Sequence, residues 1–305
     1  MIADRPATGR APTLRAAPFS AFSAFSAFST TGSDRMLRTL GSTFRALGTA
    51  ALLAGLTFTA APAASAAPSG TSAPAAPAAA EPLTPVGGGT GIVFRLSPSP
   101  EAPTSFYICT LTAVGRDRDG RLVALTNAHC FVDEQGNKLV GAEVYRDTSP
   151  AGTAFAPAPI TASRPDLATG PIGTVAYVGT PNNLLGTGPK GLDYAVIALD
   201  ETRVAPTATV GSTTITSIGA PPANGTRMCK QGHRTGLTCG IKLGTNGMWF
   251  THLIWTDGGD SGSPVVDGQT LVGNAWGAQH SSPILSIIDE LDAAGGIGAG
   301  FHLAS

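Results

Sequence analysis

The stretch TDGGDSGSPVV, residues 256–266, sets a serine at 261 between Asp260 and Gly262. Read alone, it is a glycine-rich turn running into a short apolar run at Pro264, Val265 and Val266. Glycines packed this densely mark a backbone made for tight bends and close approach, because glycine adds no Cβ and adopts positive φ freely. Whether Ser261 is a nucleophile depends on what the rest of the chain brings to it.

The surrounding sequence has an all-β texture. From Val86 onward, short runs rich in β-branched and aromatic residues recur: GIVFRL, SFYICTLTAV, LVALTNAHC, GTVAYVG, DYAVIAL, TTITSIG, MWFTHLIW, SPVV and TLVGNAW. Gly, Pro, Asp and Asn clusters separate them, the pattern of a sandwich or barrel. Composition agrees. With 39 Gly, 24 Pro and only 13% charged residues, turns and short strands are favoured over long surface helices. Only ILSIIDELDAA, residues 284–294, has helical spacing, with Ile284, Ile287, Ile288 and Leu291 on one face. Residues 86–305 suffice for one large β domain or two packed barrels.

The N-terminal third reads differently. Beginning at Met36, basic Arg38 and Arg45 precede an apolar run over residues 46–60 and the small-residue site Ala64-Ser65-Ala66. This is the pattern of a removable export signal, residues 36–66, so the protein is expected to be secreted. Residues 1–35, with the repeat SAFSAFSAFS, are read as a non-structural extension from a misassigned start, Met36 being the first residue. Residues 67–85 are nearly all Ala, Pro, Ser and Thr and read as a linker or short pro-segment. The formal net charge is −1, and removing residues 1–66 leaves −5. That balance argues against a nucleic-acid partner. No run is long and apolar enough for a confident membrane span, so no membrane association is expected after signal removal.

All four cysteines lie in residues 86–305. In an exported chain an even count reads as two disulfides, for which three pairings exist. Cys109 and Cys130 flank a two-strand segment, and Cys229 and Cys239 flank a short loop, which favours these local pairs. There is no CxxC spacing of the kind zinc sites use, and neither a metal nor a cofactor is expected.

Three segments carry chemistry together: LTNAHC (125–130), GLDYAVIAL (191–199) and GGDSGSP (258–264). In order they offer His129, Asp193 and Ser261. A serine hydroxyl is a poor nucleophile at neutral pH. It needs a neutral imidazole to take its proton and a carboxylate to fix the imidazole tautomer. Acyl transfer also needs backbone N–H donors where the oxyanion forms, and the turn can supply those of Gly259 and Ser261. Asp166 and Asp200 are the rivals to Asp193, one in a Pro/Ala-rich loop and one at a strand end. The other histidines, His233, His252, His280 and His302, are read as structural or exposed. An α/β-hydrolase is excluded by the order of the residues and by Ser263, which breaks G-x-S-x-G. No HExxH, P-loop or dinucleotide fingerprint is present.

TNAHC, DYAVI and GDSGSP, in that order, resemble the His, Asp and Ser motifs of chymotrypsin-like (trypsin-fold) serine proteases. RMCKQGHRTGLTCG (227–240) resembles the cysteine-bounded loop of the small secreted bacterial members. The resemblance implies two packed six-stranded antiparallel β-barrels with a short C-terminal helix. It also implies a secreted serine endopeptidase, expected as a monomer acting on protein or peptide substrates through an acyl-enzyme. Cys109 would bridge to Cys130 as in the family. Asp260 would be buried against a cation; the chain has no IVGG-type N-terminus to supply one, which leaves Lys230 or Arg227. Counting back six residues from Ser261 places Trp255 at the floor of the specificity pocket. Asp257 is the only acid nearby and the usual loop cysteine is absent, so a preference for Lys or Arg is not implied. NAWGA (274–278) resembles the strand that pairs with substrate backbone, making Ala275, Trp276 and Gly277 binding residues, with no hydroxyl at Ala275. Ser263 stands where glycine is expected. The large pro-domain of many bacterial relatives is missing. The competing expectation is a homologue that kept the fold as a secreted binding protein.

Overall fold

Burial along Leu122–Thr126 lays out the architecture. Leu122 and Ala124 join one apolar cluster with Ile92, Phe94, Phe131, Val144 and Ile197. Val123 and Leu125 join another, with Tyr194, Val196, Val266, Leu271 and the helical Ile284, Ile287 and Leu291. Successive strand residues point to opposite faces, so this strand is covered by the inside of its own barrel and by a neighbouring layer. That double burial is why LVALT reads as a continuous apolar run.

The computed structural model describes residues 82–95, 106–182 and 190–304. The extension 1–35, the export signal 36–66 and residues 67–81 of the segment 67–85 lie outside them. The first barrel comprises β1 (Gly91–Arg95), β2 (Phe106–Thr110), β3 (Ala113–Arg116), β4 (Leu122–Thr126), β5 (Glu143–Arg146), β6 (Gly173–Val178) and β7 (Ala195–Leu199). Hydrogen bonding runs in the order β3-β4-β7-β6-β5-β1-β2. Only Leu111 and Thr112 separate β2 from β3, so the two are halves of one bent strand, and the chain itself closes a ring of six.

The second barrel comprises β8 (Arg227–Gly232), β9 (Gly236–Asn246), β10 (Trp249–His252), β11 (Pro264–Asp267), β12 (Thr270–Trp276) and β13 (His280–Pro283). Its ring closes through hydrogen bonds alone, because β12 pairs with both β11 and β13. Met228, Phe250, Ile254, Val265, Val272 and Ala275 fill it. Helix α1 (Ile284–Ala294) follows directly and buries Ile284, Ile287 and Leu291. Two six-stranded antiparallel barrels and a short C-terminal helix are thus the architecture expected.

Some elements differ from that expectation. The stretch 227–240, read as a loop, belongs to a tight hairpin of β8 and β9, and β9 runs on to Asn246. Two short parallel pairings add to the rings: Thr84–Val86 with Val204–Pro206, outside both, and Ser217–Ile218 with Thr270–Leu271 of β12. The strand Thr84–Val86 runs across the boundary that composition suggests at Val86.

Both disulfides are local. Cys109 at the end of β2 joins Cys130, and Cys229 joins Cys239 directly opposite it across the hairpin. Their sequence separations of 21 and 10 residues convert, through loop-closure entropy, to about 3 kcal/mol each, the shorter loop contributing slightly less. Paired Cys→Ser variants are expected to lose about that much stability in urea unfolding, with Cys109→Ser/Cys130→Ser the more damaging. The reverse ranking would contradict the loop argument.

Candidate active site

Strand register brings His129 and Asp193 together. β4 and β7 are antiparallel, with Thr126 opposite Ala195. The chain leaving β4 therefore passes the chain entering β7, and it turns at once into a 3-10 turn, His129–Phe131. Asp193 has φ 53°, a left-handed conformation that Asp tolerates better than most residues. Its Oδ1 accepts the backbone N–H of His129 at 2.9 Å, and its Oδ2 lies 2.8 Å from His129 Nδ1. Both oxygens thus serve one histidine and fix its ring. Asn127 Nδ2 donates to the Asp193 backbone carbonyl at 2.8 Å, and Asn274 Nδ2 reaches the same oxygen at 3.4 Å.

Ser261 arrives from the second barrel. Its turn is closed by the Asp260 N–H donating to Asp257 O at 3.0 Å. Gly259 sits third in that turn with φ 96°, the conformation a type II turn reserves for glycine. Gly262 is equally constrained: its φ is 90°, and a Cβ there would meet the Thr110 carbonyl at 2.0 Å. The Thr110 N–H donates to Ser261 O at 2.7 Å. Ser261 Oγ then lies 2.9 Å from His129 Nε2. Among the described residues, the N–H groups of Gly259 and Ser261 have no protein acceptor, so both are available to an oxyanion.

Asp260 is buried beneath this turn. Its Oδ1 accepts the N–H groups of Arg234 and Thr235, both at 3.0 Å. Its Oδ2 accepts the Thr235 hydroxyl at 2.5 Å and the Asp257 N–H at 3.1 Å, and lies 3.1 Å from Lys230 Nζ. Lys230 is itself fully buried, whereas Arg227 is exposed. Burial pulls the Lys230 pKa below its ordinary value, against the charge and hydrogen bond of Asp260, which hold it up.

A family model of the trypsin-like peptidase domain matches residues 109–273. The chain belongs to this family. Among solved structures, it is similar to Thermobifida fusca Protease A at 18% identity, covering 72% of this chain and 100% of that one, TM-score 0.48. It is also similar to Nocardiopsis protease at 16% identity, covering 68% and 96%, TM-score 0.47. Cellulomonas bogoriensis chymotrypsin matches at 18% identity, covering 72% and 98%, TM-score 0.44. No curated protein matches the chain.

Beside Ser261, the peptidase domain has a small cleft of about 230 Å³. Thr256, Asp257 and Gly258 line one wall, and Ala275, Trp276, Gly277 and Ala278 the other. Four of the five expected binding residues are therefore at the cleft. Trp255 is not. The residue is 59% exposed, its carbonyl is held by the Thr238 hydroxyl at 2.7 Å, and its neighbour Ile254 is buried in the barrel core, turning Trp255 outward. Asp257 does not face the cleft as a free acid either, because Arg234 Nη2 lies 3.2 Å from its Oδ2.

The rival acids are engaged elsewhere, Asp166 with Arg146 and Asp200 with Arg203. His252 is fully buried with Nε2 2.8 Å from Ser281 Oγ, and burial pushes its pKa down to about 4. Sequence reasoning missed Arg234, Thr110, Asn127 and Asn274, all of which touch the site. Nothing in their local sequence pairs them with residues more than 20 positions away.

Lys230→Met would leave the Asp260 carboxylate buried without a cation. A loss of about 3–5 kcal/mol is expected, against less than about 0.5 kcal/mol for exposed Arg227→Met. Urea unfolding of the two variants measures both, and equal effects would refute the pairing argument.

Proposed function

We propose that this peptidase is an exported serine endopeptidase that cleaves peptide bonds through an acyl-enzyme. The observation that carries the reading is the unbroken chain Ser261 Oγ, His129, Asp193, with links of 2.9 and 2.8 Å. Ser261 attacks the scissile carbonyl as His129 Nε2 takes its proton. His129 then returns that proton to the leaving amine, and water repeats the cycle on the ester. Asp193 fixes the tautomer that leaves Nε2 free to accept and stabilises the imidazolium once formed. The N–H groups of Gly259 and Ser261 receive the tetrahedral oxygen. No metal or cofactor is needed for these steps.

Export is supported by the signal-type sequence at residues 36–66 and by two disulfides, which persist in oxidising compartments. Residues 86–305 would then be the protease domain, released from the signal as a monomer. Substrate backbone would lie along Ala275, Trp276 and Gly277, adding a strand to the barrel edge. The side chain entering the cleft would be uncharged, given the pairing of Asp257 with Arg234, and the volume of about 230 Å³ has room for a large apolar group.

A fluorophosphonate probe is expected to label the purified protein at Ser261, and Ser261→Ala to abolish both labelling and casein hydrolysis. An unlabelled protein would point instead to a binding role.

The pH profile gives a separate test. Burial lowers the His129 pKa, but the charge and hydrogen bond of Asp193 outweigh it, and the net position is above the ordinary 6.5. The base must be neutral, so kcat/KM is expected to fall as pH drops through a midpoint above 6.5. Asp193→Asn removes both raising influences, so the midpoint moves down while kcat falls by roughly 10⁴. An unmoved acid limb in that variant would exclude His129 as the titrating base.

A further inference from the structure

We infer that Arg234 is a positioning residue that locks the Gly258–Gly259 peptide in the orientation an oxyanion requires. This rests on the serine-protease reading above. The Gly259 N–H belongs to the same planar trans unit as the Gly258 carbonyl, and in such a unit the two groups point in opposite directions. Arg234 Nη1 donates to that carbonyl at 3.0 Å from a side chain only 9% exposed. Holding the carbonyl toward the buried guanidinium turns the Gly259 N–H the other way.

The turn itself does not make this choice. Residues 257–260 form a β-turn with Gly258–Gly259 as its central peptide. Type I and type II turns differ chiefly by a flip of that peptide. With glycine at both central positions, side-chain sterics disfavour neither form, and a Cβ at Gly258 would meet nothing within 4 Å. A flipped central peptide would aim a carbonyl where the oxyanion must form.

Arg234 is anchored to act on this flip. Its backbone N–H donates to Asp260 Oδ1 at 3.0 Å, its Nη2 pairs with Asp257 at 3.2 Å, and its Cγ lies against Gly259. The guanidinium thus ties the first residue of the turn to the central carbonyl. Thr110 Oγ1 holds the next carbonyl, that of Gly259, at 2.9 Å, which leaves the Gly258–Gly259 peptide to Arg234. The planar fork suits this double attachment; an ammonium cannot reproduce it.

The test compares fluorophosphonate labelling rates of wild type, Arg234→Met, Arg234→Lys and Arg234→Ala. Arg234→Met is expected to label roughly 10- to 100-fold more slowly, a part of what losing an oxyanion donor costs. Arg234→Lys should fall between the two. Millimolar guanidinium should speed labelling of Arg234→Ala but not of wild type. On a peptide the wild type cleaves, kcat should fall with KM within about two-fold, and affinity for a peptide trifluoromethyl ketone should fall in step with kcat/KM. Labelling of Arg234→Met within two-fold of wild type overturns the inference, as does a change confined to KM. If Arg234→Met fails to fold, wild-type labelling by Arg234→Lys together with no guanidinium rescue overturns it. An unlabelled wild type removes the protease reading itself, an outcome distinct from either.

Discussion

A buried carboxylate that must find its donors organises the active-site half of this protein. Asp260 is 1% exposed, and a charge at that depth is tolerated only when paired and fully hydrogen-bonded. Lys230 supplies the opposite charge, and the hairpin tip supplies two backbone N–H groups and the Thr235 hydroxyl. The Asp257 N–H supplies the remaining bond from the turn itself. The Ser261 turn and the β8–β9 hairpin therefore share one anchor. Neither can move without leaving a buried polar group unsatisfied, and such a group costs more than an ordinary hydrogen bond contributes.

The same logic explains how residues from two barrels meet within hydrogen-bond distance. Val123, Leu125, Tyr194 and Val196 of the first barrel pack against Val266, Leu271 and the helix. That burial is cohesive but non-directional, so it cannot by itself set a position to tenths of an ångström. Buried polar groups do so. Thr110 binds the carbonyls of Ser261, through its N–H, and of Gly259, through its hydroxyl; the Thr112 hydroxyl binds that of Gly262. Asn127 meets Asn274 at 3.0 Å across the junction. Each bond contributes about 1 kcal/mol net, yet together they fix where Ser261 sits relative to His129.

These two kinds of interaction divide what the sequence reveals from what it conceals. Short runs rich in β-branched and aromatic residues exposed most strands of the first barrel, and the spacing over 284–294 marked the helix with its buried face. That His129, Asp193 and Ser261 meet was legible because each sits in a short motif at a strand end. The β8–β9 hairpin was not, because Lys230, Gln231 and Gly232 break the apolar pattern; Lys230 is buried to pair with Asp260, and Gln231 to bond Ser212 and Thr213, rather than to fill a core. Arg234 was hidden for a related reason. Its partners, Asp257 and Gly258, are 23 and 24 positions away, and its role depends on a carbonyl that every residue possesses. Trp255 was misplaced because counting back from the serine assumes a loop stapled by cysteine. Here the Thr238 hydroxyl and the buried Ile254 set that loop instead.

The serine at 263 shows how such departures can be judged. Three positions around Ser261 invite glycine, yet their demands differ. Gly259 and Gly262 have φ of 96° and 90°, with neighbours within 3 Å of any added Cβ, so both are obligatory. Residue 263 is not among the positive-φ positions, and an L side chain fits there without backbone strain. Its hydroxyl and N–H both donate to Asp260 O, and its carbonyl accepts the Ala275 N–H at 2.9 Å. Gly262 N–H in turn donates to Ala275 O at 2.9 Å. The serine thus finds a partner for its buried hydroxyl, and its carbonyl joins the Ser261 turn to the strand forming the far wall of the cleft. Departure from a familiar motif is damaging where backbone conformation or space forbids the new side chain; at 263 neither does, and the substitution adds a hydrogen bond to the turn.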